Sequence, residues 1–364
     1  MAGRVILFGA TGYTGELTAR ELVRRGGKPL LAGRNKQMLE ALSDELGGLE
    51  TAVADVTSPA SIRSLLEKGD ALITTVGPFA KLGHPAFQAA LDAGAHYVDS
   101  TGEPAWIRNV FESSAKAEAA SIAALTAFGY DYVPGNLAAG IALDRAEGTP
   151  ATVDVGYFTK GGFGASGGTM ASLAGALLEP NFEFKAGKLI STRGAKSEQT
   201  FTTAIGPRTG LSIGASEHFA IPRISPGITD VNTYLGWFGG NTAPIRAGSA
   251  GLSGLTKVPG FKRAVGFGLS KVLPGSTGGP SEAERAKTGS IAVAVVKDAS
   301  GRVLSEVEVN GPNAYDLTAS FLAWAGLRLA DSGPAHSGSL GPVEAFGLDA
   351  LVEGCASAGL IATT

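Results

Sequence analysis

Gly9-Ala-Thr11-Gly12-Tyr13-Thr14-Gly15 is the first stretch whose residue types and spacing could do chemistry. It follows an apolar run, Val5 to Phe8, and opens an amphipathic one. In that strand-to-helix setting glycines let a pyrophosphate approach the backbone, and the free N–H groups of the helix start hold the anion. The spacing is one residue off G-x-G-x-x-G, and a plain tight turn is the competing reading. A second strand ends at Gly33-Arg34-Asn35. A cation there suits the 2′-phosphate of NADP where an acid would suit a free ribose hydroxyl, although a surface arginine needs no such role. Asp55, ending the third strand, either bonds the adenine or caps the turn into Ser58.

Further along, Val76-Gly77-Pro78-Phe79 ends a fourth apolar run, with Gly77 able to let a ligand approach and Pro78 equally able to make an ordinary turn. The fifth run reads His96-Tyr97-Val98-Asp99-Ser100-Thr101-Gly102-Glu103. Side chains alternate along a strand, so Tyr97 and Asp99 share a face. In a doubly wound sheet ligands lie outside the carboxyl ends of the strands, which brings Asp99 to Glu103 near a nicotinamide, together with Tyr130 and Asp131 after the sixth run. Tyr97 is the expected proton donor with Asp99 beside it, and Tyr130 is the rival. Thr101 and Gly102 are expected at the cofactor, Glu103 and Asp131 at the substrate. For each of these polar residues a capping or loop-bonding role competes with catalysis.

The elements that must position these residues are short apolar runs alternating with amphipathic segments, the pattern of βαβ units. Strands are expected at Val5–Phe8, Pro29–Ala32, Thr51–Val56, Ala71–Val76, His96–Asp99 and Ile122–Phe128, with helices between them, one opening at Ser58-Pro59 and one over Trp106–Ala120. Past residue 150 the texture turns β-rich, with Ala151–Thr159 and Ile291–Val296 as clear runs, and ends in helical segments near Tyr315–Ala330 and Phe346–Leu360. The fold class is therefore α/β: a Rossmann-type parallel sheet over 1–148, an α+β substrate domain with a mixed sheet over 149–312, and C-terminal helices over 313–364 that return to the first domain.

Several classes drop out on composition. With 30 Lys and Arg against 33 Asp and Glu, the chain has no global charge for nucleic acid. Its one cysteine, Cys355, excludes an internal disulfide, and neither the cysteine nor the four scattered histidines form a metal motif. There is no signal-peptide core and no apolar run of membrane-spanning length, so a cytoplasmic protein is expected. No tyrosine has a lysine four residues later, which sets aside short-chain dehydrogenase chemistry. Between residues 231 and 281 there is no acidic residue, and basic residues punctuate a glycine-rich apolar stretch. A solvated loop, a mobile cover over the substrate, and a weak membrane-surface contact through 242–275 all fit it.

As a set, Gly9 to Gly15, Ala32-Gly33-Arg34, Val76 to Phe79, Tyr97-x-Asp99-x-Thr101-Gly102-Glu103 and Gly129-Tyr130-Asp131-x-x-Pro134 resemble the saccharopine dehydrogenase-like oxidoreductases. The branch most similar contains trans-acting enoyl reductases. Beyond residue 140 only Gly168-Thr169-x-x-Ser172 resembles a family element, one that faces the substrate. The resemblance implies a Rossmann domain, NADP(H) as cofactor, and a small-molecule or acyl substrate. Reduction of a polarised C=C bond is the first reading. A saccharopine-type C=N reductase and a non-catalytic NADP-binding or lipid-associated protein are the alternatives, and a homodimer is left open.

Overall fold

A computed structural model describes residues 3–161, 181–236 and 278–363. Thr169, Ser172 and the stretch 242–275 lie outside the described residues. The chain divides into two compact units, Met1–Thr101 with Trp106–Val133 and Ala314–Ala350 in one, and Gly102–Ala105 with Pro134–Asn313 and Leu351–Thr364 in the other.

The first unit is built on strands separated by one or two helices. In chain order they are β1 (Val5–Phe8), α1 (Tyr13–Arg24), β2 (Leu30–Gly33), α2 (Lys36–Glu45), β3 (Thr51–Val53), α3 (Pro59–Arg63), β4 (Ala71–Thr74), α4 (Phe79–Leu82), α5 (His84–Ala93), β5 (His96–Asp99), α6 (Pro104–Glu112), α7 (Ser114–Ala119) and β6 (Ala123–Leu125). The sheet runs β3-β2-β1-β4-β5-β6, all parallel, and the short strand Gly338–Ser339 adds beyond β6. This is the doubly wound order expected from the alternation, with the strand order reversing beside β1. Every residue of β1, β2, β4 and β5 is buried, as strands covered on both faces require. On one face Ile6, Phe8, Leu72, Phe87, Tyr97 and Trp106 share a core. α1 buries Gly15, Thr18, Ala19 and Leu22, one helical face, and packs against the helix Ala314–Ser332, where Arg25 reaches Ser320 at 2.8 Å and Ser320 donates to Glu21 at 3.0 Å.

β3, β4 and β6 stop short of the runs expected over Thr51–Val56, Ala71–Val76 and Ile122–Phe128, β2 is shifted by one residue, and two helices also differ from expectation. The helix opening at Ser58-Pro59 lasts only to Arg63, and Ser58 makes no side-chain cap; the hydroxyl of Ser61 instead donates to the Ser58 carbonyl at 2.6 Å and accepts from the Asp55 N–H at 3.0 Å. The segment expected as one helix over Trp106–Ala120 breaks at Ser113, whose backbone (φ −92, ψ 11) leaves the helical region, so α6 and α7 are separate.

The second unit holds a mixed sheet of β7 (Thr152–Lys160), β8 (Asn181–Lys185), β9 (Lys188–Thr192), β10 (Glu198–Phe201), β11 (Arg208–Ser212), β12 (Asp230–Leu235), β13 (Gly289–Lys297), β14 (Val303–Gly311) and the terminal Ile361–Thr363. Among the described residues only β12 and β7 pair in parallel, and the remaining pairs are antiparallel. Phe158, Phe201, Tyr234, Ile291, Val293 and Val295 form its core on one face, the last three at the period of two that a strand imposes. α8 (Val133–Arg145) begins the unit's chain, and there the N–H of Gly135 donates to the Tyr157 hydroxyl at 2.8 Å, while that hydroxyl donates to the buried carboxylate of Glu217. Cys355 is buried in the helix Leu348–Ser357, and burial pushes its thiol well up, the opposite of what a nucleophile needs.

Candidate functional site

The glycine loop takes its shape from close contacts that no side chain would survive. Gly9 leaves β1 at φ +93, and its N–H, followed by that of Ala10, donates to the Ala32 carbonyl at 2.9 and 3.1 Å. The Thr75 hydroxyl donates to the Gly9 carbonyl at 3.1 Å, tying the tips of β1 and β4 together. A Cβ on Gly15 would lie 2.1 Å from that same carbonyl, so glycine is obligatory for α1 to start so close to β1. At Gly12 the requirement differs. Among the described residues the one atom close to its missing Cβ is the Gly9 carbonyl oxygen at 3.4 Å, and as N-cap it offers no side chain to the helix start. The first-turn N–H groups that begin with Tyr13, Thr14 and Gly15 belong to the turn that lacks helical acceptors. A pyrophosphate fits this ground: it supplies both the acceptor and the negative charge that the helix start favours. Tyr13 is further held edge-on by Tyr315, with ring centroids 5.1 Å apart, a pairing across three hundred residues that no local pattern announces.

At the tip of β2, Gly33 is buried, with Thr11 Oγ1 3.7 Å from its missing Cβ, and Arg34 projects with its side chain 79% exposed. Its Nε lies 4.0 Å from Asp55 Oδ2, a loose pairing that leaves the guanidinium available to a phosphate. Asn35 caps α2, accepting from the Met38 N–H at 3.1 Å. Asp55 caps its turn. It accepts from the N–H and hydroxyl of Thr57 at 2.7 and 2.8 Å, and these bonds hold its carboxyl below the usual range. After β4, Val76, Gly77 and Pro78 are half-buried, with Gly77 joined to Pro78 through a cis peptide, and Phe79 is buried at the start of α4.

Asp99 and Tyr97, the expected catalytic pair, both lie in the interior of the first unit. The Asp99 carboxylate is wholly buried and accepts from Trp106 Nε1 at 2.8 Å, Thr126 Oγ1 at 2.9 and 3.1 Å, Thr101 N at 3.0 Å and Ala127 N at 2.9 Å. Burial raises its pKa against the pull of these donors. Asp99 thus pins the loops that leave β5 and β6, and Thr101, buried at 1% exposure, is part of that clasp. Tyr97 does share its strand face, but the face is the core. Its ring is 0% exposed and lies edge-on to Phe87 at 5.1 Å, and its hydroxyl has no hydrogen-bond partner. Burial and the neighbouring Asp99 charge push its pKa well above 10. In this structure the phenol is sealed among Phe87, Trp106 and Asp99, with no exposed surface from which to reach a substrate.

Tyr130 is buried too, its N–H donating to Thr318 Oγ1 at 3.0 Å. Glu103 is buried at 6% exposure, and Gly102 is half-buried. Asp131 differs from every other acid at this edge. Its Oδ1 is out of solvent with no hydrogen-bond partner, and burial pushes its carboxyl up to about 7. Sequence reading found Asp131 by its place after β6 but not its chemistry, because the signal is an absence of donors. It missed Trp106 and Thr126 as the clamps of Asp99, for which only their polarity at the ends of buried runs was a clue.

Residues 5–125 match the model of the saccharopine dehydrogenase NADP binding domain. A Mycobacterium tuberculosis protein assigned by name as a trans-acting enoyl reductase is 30% identical over 98% of this chain and 96% of its own length. The chain belongs to the saccharopine dehydrogenase-like family of oxidoreductases. It is an NADP-dependent member, with NADP(H) as its cofactor. The trans-acting enoyl reductase of Mycobacterium ulcerans is 36% identical over a shorter stretch, 36% of this chain and 34% of that protein. The fold is shared with the glutamate-forming saccharopine dehydrogenase of Saccharomyces cerevisiae, at TM-score 0.60 and 14% identity over 99% of each chain. Among the described residues no group of His, Cys, Asp and Glu could hold a metal ion, and no helix is long and apolar enough to cross a membrane.

Proposed function

We propose that this oxidoreductase reduces the polarised C=C bond of an enoyl-type acyl substrate. The observation that carries the reading is the 30% identity extending over 98% of the chain to a relative named for enoyl reduction, because it takes in the second unit as well as the nucleotide-binding one. NADPH supplies a hydride to the electron-poor carbon. The protein's part is to bind and orient: the Gly9–Gly15 loop and the start of α1 would hold the pyrophosphate, Arg34 would take the 2′-phosphate, and the loops leaving β4 and β5, at Gly77 and Thr101–Gly102, would face the nicotinamide, since the carboxyl ends of parallel strands receive ligands. Glu103, Thr169 and Ser172 are assigned to the acyl group. The acceptor must be activated by an adjacent carbonyl, since the charge left by hydride arrival needs an oxygen to rest on and a donor to hold it.

The test is NADPH consumption with a panel of enoyl thioesters set against preformed imines of keto acids. Turnover confined to the thioesters is the expected result. Turnover confined to imines would replace this reading with the saccharopine-type one, and stoichiometric NADPH binding with no turnover of either would favour a non-catalytic role.

A further inference from the structure

We propose that Asp131 is the general acid that protonates the reduced acceptor, a role that rests on the hydride-transfer reading above. Asp131 follows β6 in the loop Gly129–Tyr132, on the carboxyl edge of the parallel sheet where β1, β4 and β5 also end. Its main chain is held from both sides: the N–H of Tyr132 donates to the Ala127 carbonyl at 2.7 Å, and that of Tyr130 to Thr318 Oγ1 at 3.0 Å. A Cβ on Gly129 would meet the Thr318 side chain at 2.9 Å, so the loop lies hard against the helix Ala314–Ser332. The residue is half-buried overall, yet one carboxyl oxygen is withdrawn from solvent with no partner.

A buried carboxyl oxygen without donors is costly as an anion and far cheaper as an acid. The titratable groups around the loop do not change that balance. Tyr130 and Tyr132 flank it, Tyr315 and Asp316 lie on the helix that carries Thr318, and Asp99 is upstream with its own donors. Among the described residues Asp131 forms no ion pair, and burial alone raises its pKa to about 7. An acid of that strength gives up a proton readily at neutral pH and regains it from solvent, which is the balance general acid catalysis requires.

Once the β-carbon has received the hydride that NADPH supplies, the electron pair of the former double bond rests as an enolate. The O–H bond of Asp131 then breaks, its proton forms the new C–H bond at the α-carbon, and the pair left behind makes the carboxylate. Solvent reprotonates it before the next turnover.

Two measurements test this. Infrared difference spectra of the cofactor-free protein against Asp131→Asn, followed from pH 5 to 9, should show one buried carboxylic-acid C=O band lost as pH rises through about 7 and absent in the variant. With whichever acceptor the native protein reduces, Asp131→Asn should lower kcat by about 10² to 10⁴-fold while NADPH affinity stays within twofold. If the asparagine variant does not fold, Asp131→Glu serves, with a displaced band and a displaced pH profile expected. A carboxyl ionised from pH 5 upward, or full turnover by the variant, overturns the proposal. A native protein inert to enoyl thioesters overturns the acceptor reading instead, and the infrared titration still decides whether Asp131 is an acid at neutral pH.

Discussion

Asp99 and Asp131 end consecutive strand–loop transitions of one sheet, and their surroundings are opposite. Asp99 has four donor groups converging on two oxygens, two of them backbone N–H groups from separate loops. Asp131 has an oxygen with none. Both carboxyls are raised by burial, but only at Asp99 do donors pull against it, which is why the value at Asp131 reaches about 7. A saturated carboxylate holds loops in place. An unsaturated one is a reservoir for a proton, and unpaired buried polar groups of this kind gather at working sites.

The largest effect that could break this contrast is expected at the saturated acid. Asp99→Ala strands the indole N–H of Trp106, the hydroxyl of Thr126 and two backbone N–H groups inside the first unit. Each unsatisfied buried donor costs about 1–3 kcal/mol, so with four of them urea unfolding should show a loss of at least about 4 kcal/mol, or no folded protein at all. A loss under 1 kcal/mol would mean the donors find other partners and that Asp99 is no clasp.

Next comes the opposite sign at Asp131. Its folded pKa lies above the roughly 3.9 of an unfolded aspartate. Folding is therefore favoured below about pH 4, and that advantage is lost as pH rises to about 7, where the folded state must give up its proton. Asparagine never ionises. Asp131→Asn should match the native Tm near pH 4 and exceed it at pH 8. A native-minus-variant difference that does not change with pH would place the carboxyl in ordinary solvent.

These two acids also mark how far the sequence could be read. Alternation of apolar runs with amphipathic segments set out the six parallel strands of the first unit, with β1 and β5 at their observed bounds, because strands buried on both faces are written locally as Val5–Phe8 or His96–Asp99. The glycine loop was legible in part for the same reason: Gly15 answers to the Gly9 carbonyl six residues away, whereas Gly9 answers to Ala32 and Thr75 at the ends of neighbouring strands. The acids were not. Period two correctly put Tyr97 and Asp99 on one face, yet whether that face meets solvent or Phe87 and Trp106 depends on helices α5 and α6 folding over it. Nor can local spacing show the pairing of Tyr13 with Tyr315, or the strand order of the second sheet, where β7 lies between β12 and β13.

The cofactor end supplies a contrast that leaves both acids untouched. Arg34 is exposed and only loosely paired with Asp55. A charge-assisted bond to a phosphate is worth about 1.5–3 kcal/mol, so Arg34→Ala should weaken NADPH roughly ten- to a hundredfold and NADH hardly at all, by fluorescence titration. Equal weakening of both would move the 2′-phosphate elsewhere.

The smallest expected effect belongs to Tyr97, and its smallness is the point. The oxygens of Asp99 already accept from Trp106, Thr126, Thr101 and Ala127, and the Tyr97 hydroxyl is buried with no hydrogen-bond partner. Tyr97→Phe keeps the ring against Phe87 and removes only that hydroxyl. Taking away a polar group that gains no bond relieves a desolvation cost, while the void left by one oxygen offsets part of the gain. Stability should therefore shift by less than about 1 kcal/mol, with a rise more expected than a fall, and kcat should stay within twofold. The role distinguishing the two acids would have to be redrawn if Tyr97→Phe cost a hundredfold in kcat with NADPH affinity intact. In that case the proton would leave from the phenol, Asp99 would be its positioning partner as well as a clasp, and the first unit would have to open α5 or α6 during turnover to let a substrate reach it.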